Sequence, residues 1–369
     1  MSLKSVWKHF GGSFLLTIFG LLLSFWLGFR EGGISIGFST LFLCGVLAIL
    51  EVSLSFDNAV VNASVLNRMT EVWRHRFLTW GILLAVFGMR LILPLAIVAV
   101  LAHIGPIDAL MMAIEAPNDY AKLMLSIHES VAAFGGTFLF LVGIAYFLNE
   151  EKDEHWLKWI EEPLTKLGRV QSIQVVLALA IVLILTLYVP PEKQMSFLIS
   201  GVAGVITFLL VDGLGALLGS SGADGSKSHS LADAHRASLG MFVYLEILDA
   251  SFSFDGVVGA FALTHSLFLI SIGLGIGAMF VRSITIVLVE KGTLAQFRYL
   301  EHGAFWAILS LACLMFVGVF YHLPEILTGL CGAAFIGASV WASIKEAREL
   351  KAEVPKKLIV QGSRDLDRS

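Results

Sequence analysis

Two short stretches hold the side chains best suited to chemistry. Glu51-Val-Ser-Leu-Ser-Phe-Asp57-Asn58 returns later in the chain as Asp249-Ala-Ser-Phe-Ser-Phe-Asp255-Gly256, and both copies lie inside long apolar runs. A carboxylate at the hydrocarbon centre costs about 2.5–3.5 kcal/mol on insertion scales, so acids doubled at the same spacing call for a functional explanation. Glu246 and Asp212 also fall at membrane depth, with Arg90 and Arg282 as the bases. The formal sum of these groups is −4, equal to the net charge of the whole chain. The excess negative charge therefore sits in apolar segments, which suits a cation pathway.

Spacing divides these groups into faces. On an uninterrupted helix Glu51, Ser55, Asn58 and Asn62 form one stripe, as do Glu246, Asp249 and Ser253, while Asp57 and Asp255 fall about 120° away. Either each helix faces two neighbours, or it unwinds at the Ser-rich segment and frees backbone carbonyls as ligands. Carboxylates, an amide oxygen, hydroxyls and carbonyls suit hard or borderline divalent cations such as Mn, Mg or Ca. The expected metal-binding residues are Glu51, Asp57, Asp249, Asp255, Glu246, Asn58 and Asp212, with Arg90 and Arg282 compensating charge. Glu246 has no partner in the first copy, where Ala48 stands. Crowded buried acids hold a proton when they hold no metal, so protons are the natural counter-ion. Cys44, Cys313 and Cys331 lie in apolar spans without CxxC spacing and read as core filling. No catalytic residue and no prosthetic group is indicated.

These residues need a membrane to position them. With 57% apolar and 15% charged residues, the chain departs from soluble domains, where about 25% is charged. The expected fold is all-α: a polytopic membrane protein of about ten transmembrane helices with two inverted-topology repeats. The spans are 11–29, 39–66, 77–103, 129–149, 173–189, 195–219, 239–264, 266–290, 302–321 and 324–344. With the N-terminus inside, the inner segments hold twenty Lys and Arg and the outer ones three, as the positive-inside rule requires. Both termini are then cytoplasmic in a cell membrane.

The expected organisation is an N-terminal helix (1–36), a first repeat (37–150), an interfacial segment with two connecting helices and a Gly/Ser-rich loop (151–238), a second repeat with the last helix (239–345), and a cytoplasmic tail (346–369). The acidic stretch Glu150–Glu162 reads as an interfacial helix with a solvated charge face and Trp156 and Trp159 as anchors. The loop from Ser220 to Ser238 reads as a flexible linker. The tail after Lys345 reads as helical, then disordered.

Alignment of Glu51 with Asp249 continues into the next helix, where Gly81–Arg90 matches Gly273–Arg282. An acid followed by Ser-x-Ser-Phe-Asp-Asn/Gly early in an apolar helix, repeated in a second half, resembles the TerC family of integral membrane proteins. The resemblance covers residues 39–104 and 239–290, with Gly256 replacing the Asn found at position 58. It implies a link to tellurium resistance and manganese export. Expected partners are the lipid bilayer, the divalent cation and protons; a homo-oligomer is left open, and nothing points to nucleic acid. Two rival functions stand beside transport: an intramembrane aspartyl hydrolase, and a non-transporting scaffold of a membrane metal or tellurite stress complex.

Overall fold

The first helix, α1 (Leu3–Leu54), has 52 residues, which run about 78 Å if straight and far exceed a hydrocarbon layer of about 30 Å. It folds back on itself instead. Gly32 and Gly33 leave helical geometry, and Gly33 takes φ +78°, ψ −164°, which only glycine adopts freely. Beyond this kink Thr40 donates its hydroxyl to the Ser24 carbonyl at 2.8 Å, and Phe38 packs edge-on against Phe25 at 5.2 Å between ring centres. The two arms are thus antiparallel neighbours.

The computed structural model describes residues 3–366 except 102, 151, 153, 171, 220–230, 262, 293–295 and 322. Side chains are additionally left undescribed at 3–5, 82–83, 101, 214–219, 231–233, 254–255, 325–326 and 350–366. The described residues form helices and turns, with no strand among them.

A bend at Ser55 separates α1 from α2 (Phe56–Arg68) within the expected span 39–66. The Ser55 N–H still donates to the Glu51 carbonyl at 3.0 Å, and the Ala59 N–H to the Ser55 carbonyl at 3.2 Å. Ser55 itself takes φ −105°, ψ 16°, so the first motif is locally interrupted at its Ser-rich segment while these two bonds hold the helices on either side together. The expected span 77–103 is α3 (Glu71–Leu83), a π-helical segment (Leu84–Ile92) and α4 (Leu93–Leu101), with a bend of 48° at the α3 junction. Such π segments widen the helical turn and often mark functional positions; this one carries Arg90.

Two short helices, α5 (Pro106–Glu115) and α6 (Pro117–Ser126), fill the following connection, each opened by a proline whose missing N–H costs nothing there. Then come α7 (His128–Leu148), α8 (Lys158–Leu167), α9 (Ile173–Thr186), α10 (Pro191–Gly219) and α11 (Leu231–Ala260). The second motif lies in α11, which is uninterrupted. After it come α12 (Leu267–Glu290), α13 (Leu300–Gly318) and α14 (Glu325–Leu366).

Six of the described helices are long and apolar enough to cross a membrane: α1, α7, Pro191–Gly213 of α10, α12, α13 and Leu327–Glu349 of α14. Counting the bent α3–π–α4 pair as one crossing gives seven, and length and composition alone do not establish the ten expected spans. The span 173–189 is the 14-residue α9, about 21 Å long and too short to cross unaided. The expected flexible linker does not extend past Leu231, where α11 has begun; residues 220–230, with Asp224 and His229, lie outside the described residues. The tail stays helical to Leu366, since Glu, Lys and Ala at 345–353 favour helix.

The second arm of α1 packs along α12, α7 packs between α10 and α13, and α11 meets α10, α3 and the π segment. Small residues permit the closest approach. A Cβ at Gly277 would lie 2.4 Å from the Glu51 Cβ, so α12 can press against the motif helix only with glycine there. Large apolar side chains such as Phe19, Phe42, Leu187 and Trp341 remain exposed on the outer faces, as expected where lipid is the solvent.

The acidic stretch differs most from expectation. Trp159 is exposed, as an interfacial anchor should be, but Glu161 is fully buried and does not belong to a solvated face. Its carboxylate accepts from Trp306 Nε1 on α13 at 3.1 Å, from the Trp156 and Leu157 N–H groups at 3.1 and 3.2 Å, and from Lys152 Nζ at 3.3 Å. Burial alone would push the Glu161 carboxyl up. The Trp306 donor, Lys152, His302 and the Leu157 N–H outweigh it and hold the group below the usual range. Burial among aromatic faces draws the Lys152 ammonium down, with Glu161 opposing it. Glu161 and Lys152 form a charged pair, because donors converge on the carboxylate from Trp306, Trp156, Leu157 and Lys152. A carboxyl depressed in the folded state stabilises above its ordinary value of 4.5, and that stability is lost as pH falls through the folded value. Glu161→Gln is expected to lower unfolding stability at neutral pH by about 1.5–3 kcal/mol and to flatten the acid-side loss, measured by thermal unfolding in micelles at graded pH.

Candidate functional site

Arg90 is the hub of the buried polar cluster. The π segment aims its side chain inward, where Nη1 donates to the Ala85 carbonyl at 2.5 Å and the Arg90 carbonyl accepts from Ser271 on α12 at 2.9 Å. Arg90 Nη2 donates to Glu51 Oε1, and Nη1 lies 3.8 Å from Asp249 Oδ2. Glu51 Oε1 also accepts from the Ser55 hydroxyl at 3.0 Å, and Asn58 Nδ2 donates to Asp249 Oδ1 at 2.5 Å. Glu51, Asn58 and Asp249 therefore converge from α1, α2 and α11, on the stripes their spacing defined. Glu51, Asn58 and Arg90 are each at most 2% exposed, so this is an ion-paired core within apolar surroundings.

Asp57 faces elsewhere. It is 4% exposed and sits in the first turn of α2, where one carboxylate oxygen accepts from the Asn58 N–H at 2.9 Å. Its other oxygen approaches Gly332 of α14, whose added Cβ would stand 3.7 Å away. Asp57, Glu51, Ser55, Gly256, Thr328 and Gly332 line a cavity of about 20 Å³, room for one water-sized sphere. Glu51 Oε2, the oxygen left free by Arg90 and Ser55, lies on the Gly256 side. The motif helix thus faces two neighbours, with an ion pair on one side and a small acidic cavity on the other.

Across Arg90 lies a second cavity, also about 20 Å³, lined by Asn62, Gly81, Glu246, Asp249, Arg282 and Thr285. Arg90 Nε, Arg282 Nη2, Asn62 Oδ1 and Glu246 Oε1 are buried there without a hydrogen-bond partner. Gly81 makes the space, since a Cβ would approach Glu246 Oε1 to 3.0 Å and both Arg282 terminal nitrogens to 3.2 Å. Arg282, expected to compensate charge, shares this cavity with Glu246 and Asp249, although among the described residues no carboxylate oxygen lies within ion-pair distance of it. Its Nε donates to the Leu78 carbonyl at 3.3 Å and its guanidinium lies 4.7 Å over the Phe77 ring, so a carbonyl and an aromatic face hold it.

The remaining candidates do not join. Asp212 is exposed on α10 and lines neither cavity, because α10 turns its packed faces to α7, α9 and α11. The backbone of Asp255 lies in α11, but its side chain is outside the described residues. Among the described residues no three Asp, Glu, His or Cys side chains converge to hold a metal. The oxygen donors around the first cavity are two carboxylates, Asp57 and Glu51, with the Ser55 and Thr328 hydroxyls in its wall. Thr328 and Gly332 were not foreseen. Their signal is the small-residue run Thr328-Gly329 to Gly332, spaced for close helix packing.

The chain matches no curated protein and no solved structure. A family model described as "Protein of unknown function (DUF475)" matches residues 56–350, well over half of the chain. The chain belongs to that family.

Proposed function

We propose that the protein is a membrane transporter that exports divalent metal cations, manganese foremost, binding the cargo at Asp57 and the free oxygen of Glu51. The observation that carries this is the Asp57 cavity: a buried carboxylate, with no basic partner among the described residues, beside a second carboxylate and two hydroxyl side chains. Such a set suits a hard divalent ion stripped of most of its water. Arg90, bridging Glu51 and Asp249, closes the path toward the second cavity, and its partners are carboxylates an arriving cation can also engage.

The swapped packing supports inverted repeats. The first motif helix lies along α12, the helix that follows the second motif, while α11 lies along α3 and the π segment that follow the first. Transporters built this way place cargo at the repeat interface. The ten-crossing topology, the cytoplasmic termini and proton counter-transport belong to the same proposal, as does the TerC resemblance of the motif. Paired-aspartate hydrolysis would rest on Asp57 and Asp255, and the Asp255 side chain lies outside the described residues.

The test is flux in proteoliposomes carrying purified full-length protein and loaded with an ion-sensitive dye. Saturable movement of manganese, with weaker movement of magnesium, calcium or zinc, is expected. No movement of any of the four would overturn the proposal.

A further inference from the structure

A larger opening lies at one end of the bundle. Its volume is about 300 Å³, enough for several waters, and its wall includes His128, Glu129, Val258, Leu314, Tyr321 and Thr328. It sits where α6 gives way to α7 and α13 to α14, at helix ends and not along a lipid-facing flank. Thr328 belongs to both this vestibule and the Asp57 cavity.

Three helices pass from one space to the other in step. Along α11 the lining moves from Gly256 to Val258, along α13 from Leu311 to Leu314, and along α14 from Gly332 to Thr328. The vestibule and the acidic cavity therefore adjoin, with Thr328 in the wall of both. The wider room carries Glu129, whose Oε1 is held by Lys193 at 2.6 Å while its Oε2 is buried without a partner. An ion that moved from the space of about 300 Å³ to that of about 20 Å³ would shed most of its water at Thr328.

We propose that this vestibule is the aqueous mouth for hydrated cations and that Thr328 is its constriction, offering a hydroxyl oxygen in exchange for lost water. Among the described residues this end stands open, and the Glu51–Arg90–Asp249 bridge shuts the other. The cargo class rests on the transport proposal; the access path does not.

The test is cysteine labelling of the full chain in open membranes, with Cys44, Cys313 and Cys331 replaced by serine. Three single variants are compared: Leu323→Cys at the mouth, Thr328→Cys at the constriction, and Ala304→Cys in the sealed core. A trimethylammonium thiosulfonate is expected to modify Thr328→Cys within about tenfold of Leu323→Cys, and at least about 100-fold faster than Ala304→Cys. It should also outpace an anionic sulfonate analogue at Thr328→Cys by about tenfold or more, because the Asp57 carboxylate in the cavity that Thr328 also lines attracts cations. Labelling of Leu323→Cys with protection of Thr328→Cys would overturn the path. Equal rates for the two reagents would overturn its cation character. If Leu323→Cys itself resists both reagents while gel filtration shows folded protein, the mouth is closed and the proposal fails. Absence of metal flux alongside cation-selective labelling would count against the transport proposal and leave the path standing.

Discussion

Arg90→Met is expected to destabilise the protein by about 3–5 kcal/mol. Arg90 is 2% exposed, and its loss leaves Glu51 and Asp249 facing each other without a cation in a largely buried region. The cost is that of two orphaned charges, not of one missing contact. The same substitution combined with Glu51→Gln and Asp249→Asn removes the charges together, and most of the stability should return, since replacing a whole buried ionic group by neutral side chains is often close to neutral. Arg90→Lys should fall between: one ammonium reaches a single carboxylate, where the guanidinium spans two. Thermal unfolding in micelles, followed by tryptophan fluorescence, separates the cases. Equal stability of wild type and Arg90→Met would mean that the cluster is not held by charge.

That cluster was largely legible in the sequence, for a physical reason. Ionised groups are so costly in apolar spans that Glu51, Asp249 and Arg90 stand out individually, and helical periodicity assigned Glu51 and Asn58 to one stripe and Asp57 to another. The stripe became the Arg90 bridge and the offset residue became the cavity wall. Thr328 was not legible. A threonine among glycines and alanines looks like ordinary helix packing, and only the path of α14 past Asp57 gives it a role. Glu161 misled in the opposite direction: a charge-rich segment reads as solvated, because its partner Trp306 lies 145 residues away and no local pattern announces it. The π segment was hidden as well, since nine residues are too few for a wider helical turn to show in apolar periodicity. The Gly32–Gly33 reversal, by contrast, falls in the connection expected between the first two spans, marked by the polar run Arg30-Glu31.

Asp57→Asn is expected to reduce metal flux by at least about 100-fold while leaving the fold intact. A carboxylate about 4 Å from a cation at an effective dielectric of about 20 contributes about 4 kcal/mol per unit charge, and each 1.4 kcal/mol is a factor of ten in affinity. The amide keeps the shape of the acid and can still accept the Asn58 N–H, so unfolding temperature should barely move. Asp57→Glu keeps the charge but adds a methylene to a cavity of about 20 Å³; it should retain a small fraction of flux with altered preference among manganese, magnesium and calcium. Asp212→Asn serves as the contrast: that side chain is exposed on α10, away from both cavities, and its loss should change flux less than about twofold. If Asp57→Asn transports as well as wild type, the cargo does not bind in this cavity. If Asp57→Asn and Asp212→Asn lose flux equally, net charge in the bundle and not a local site governs transport.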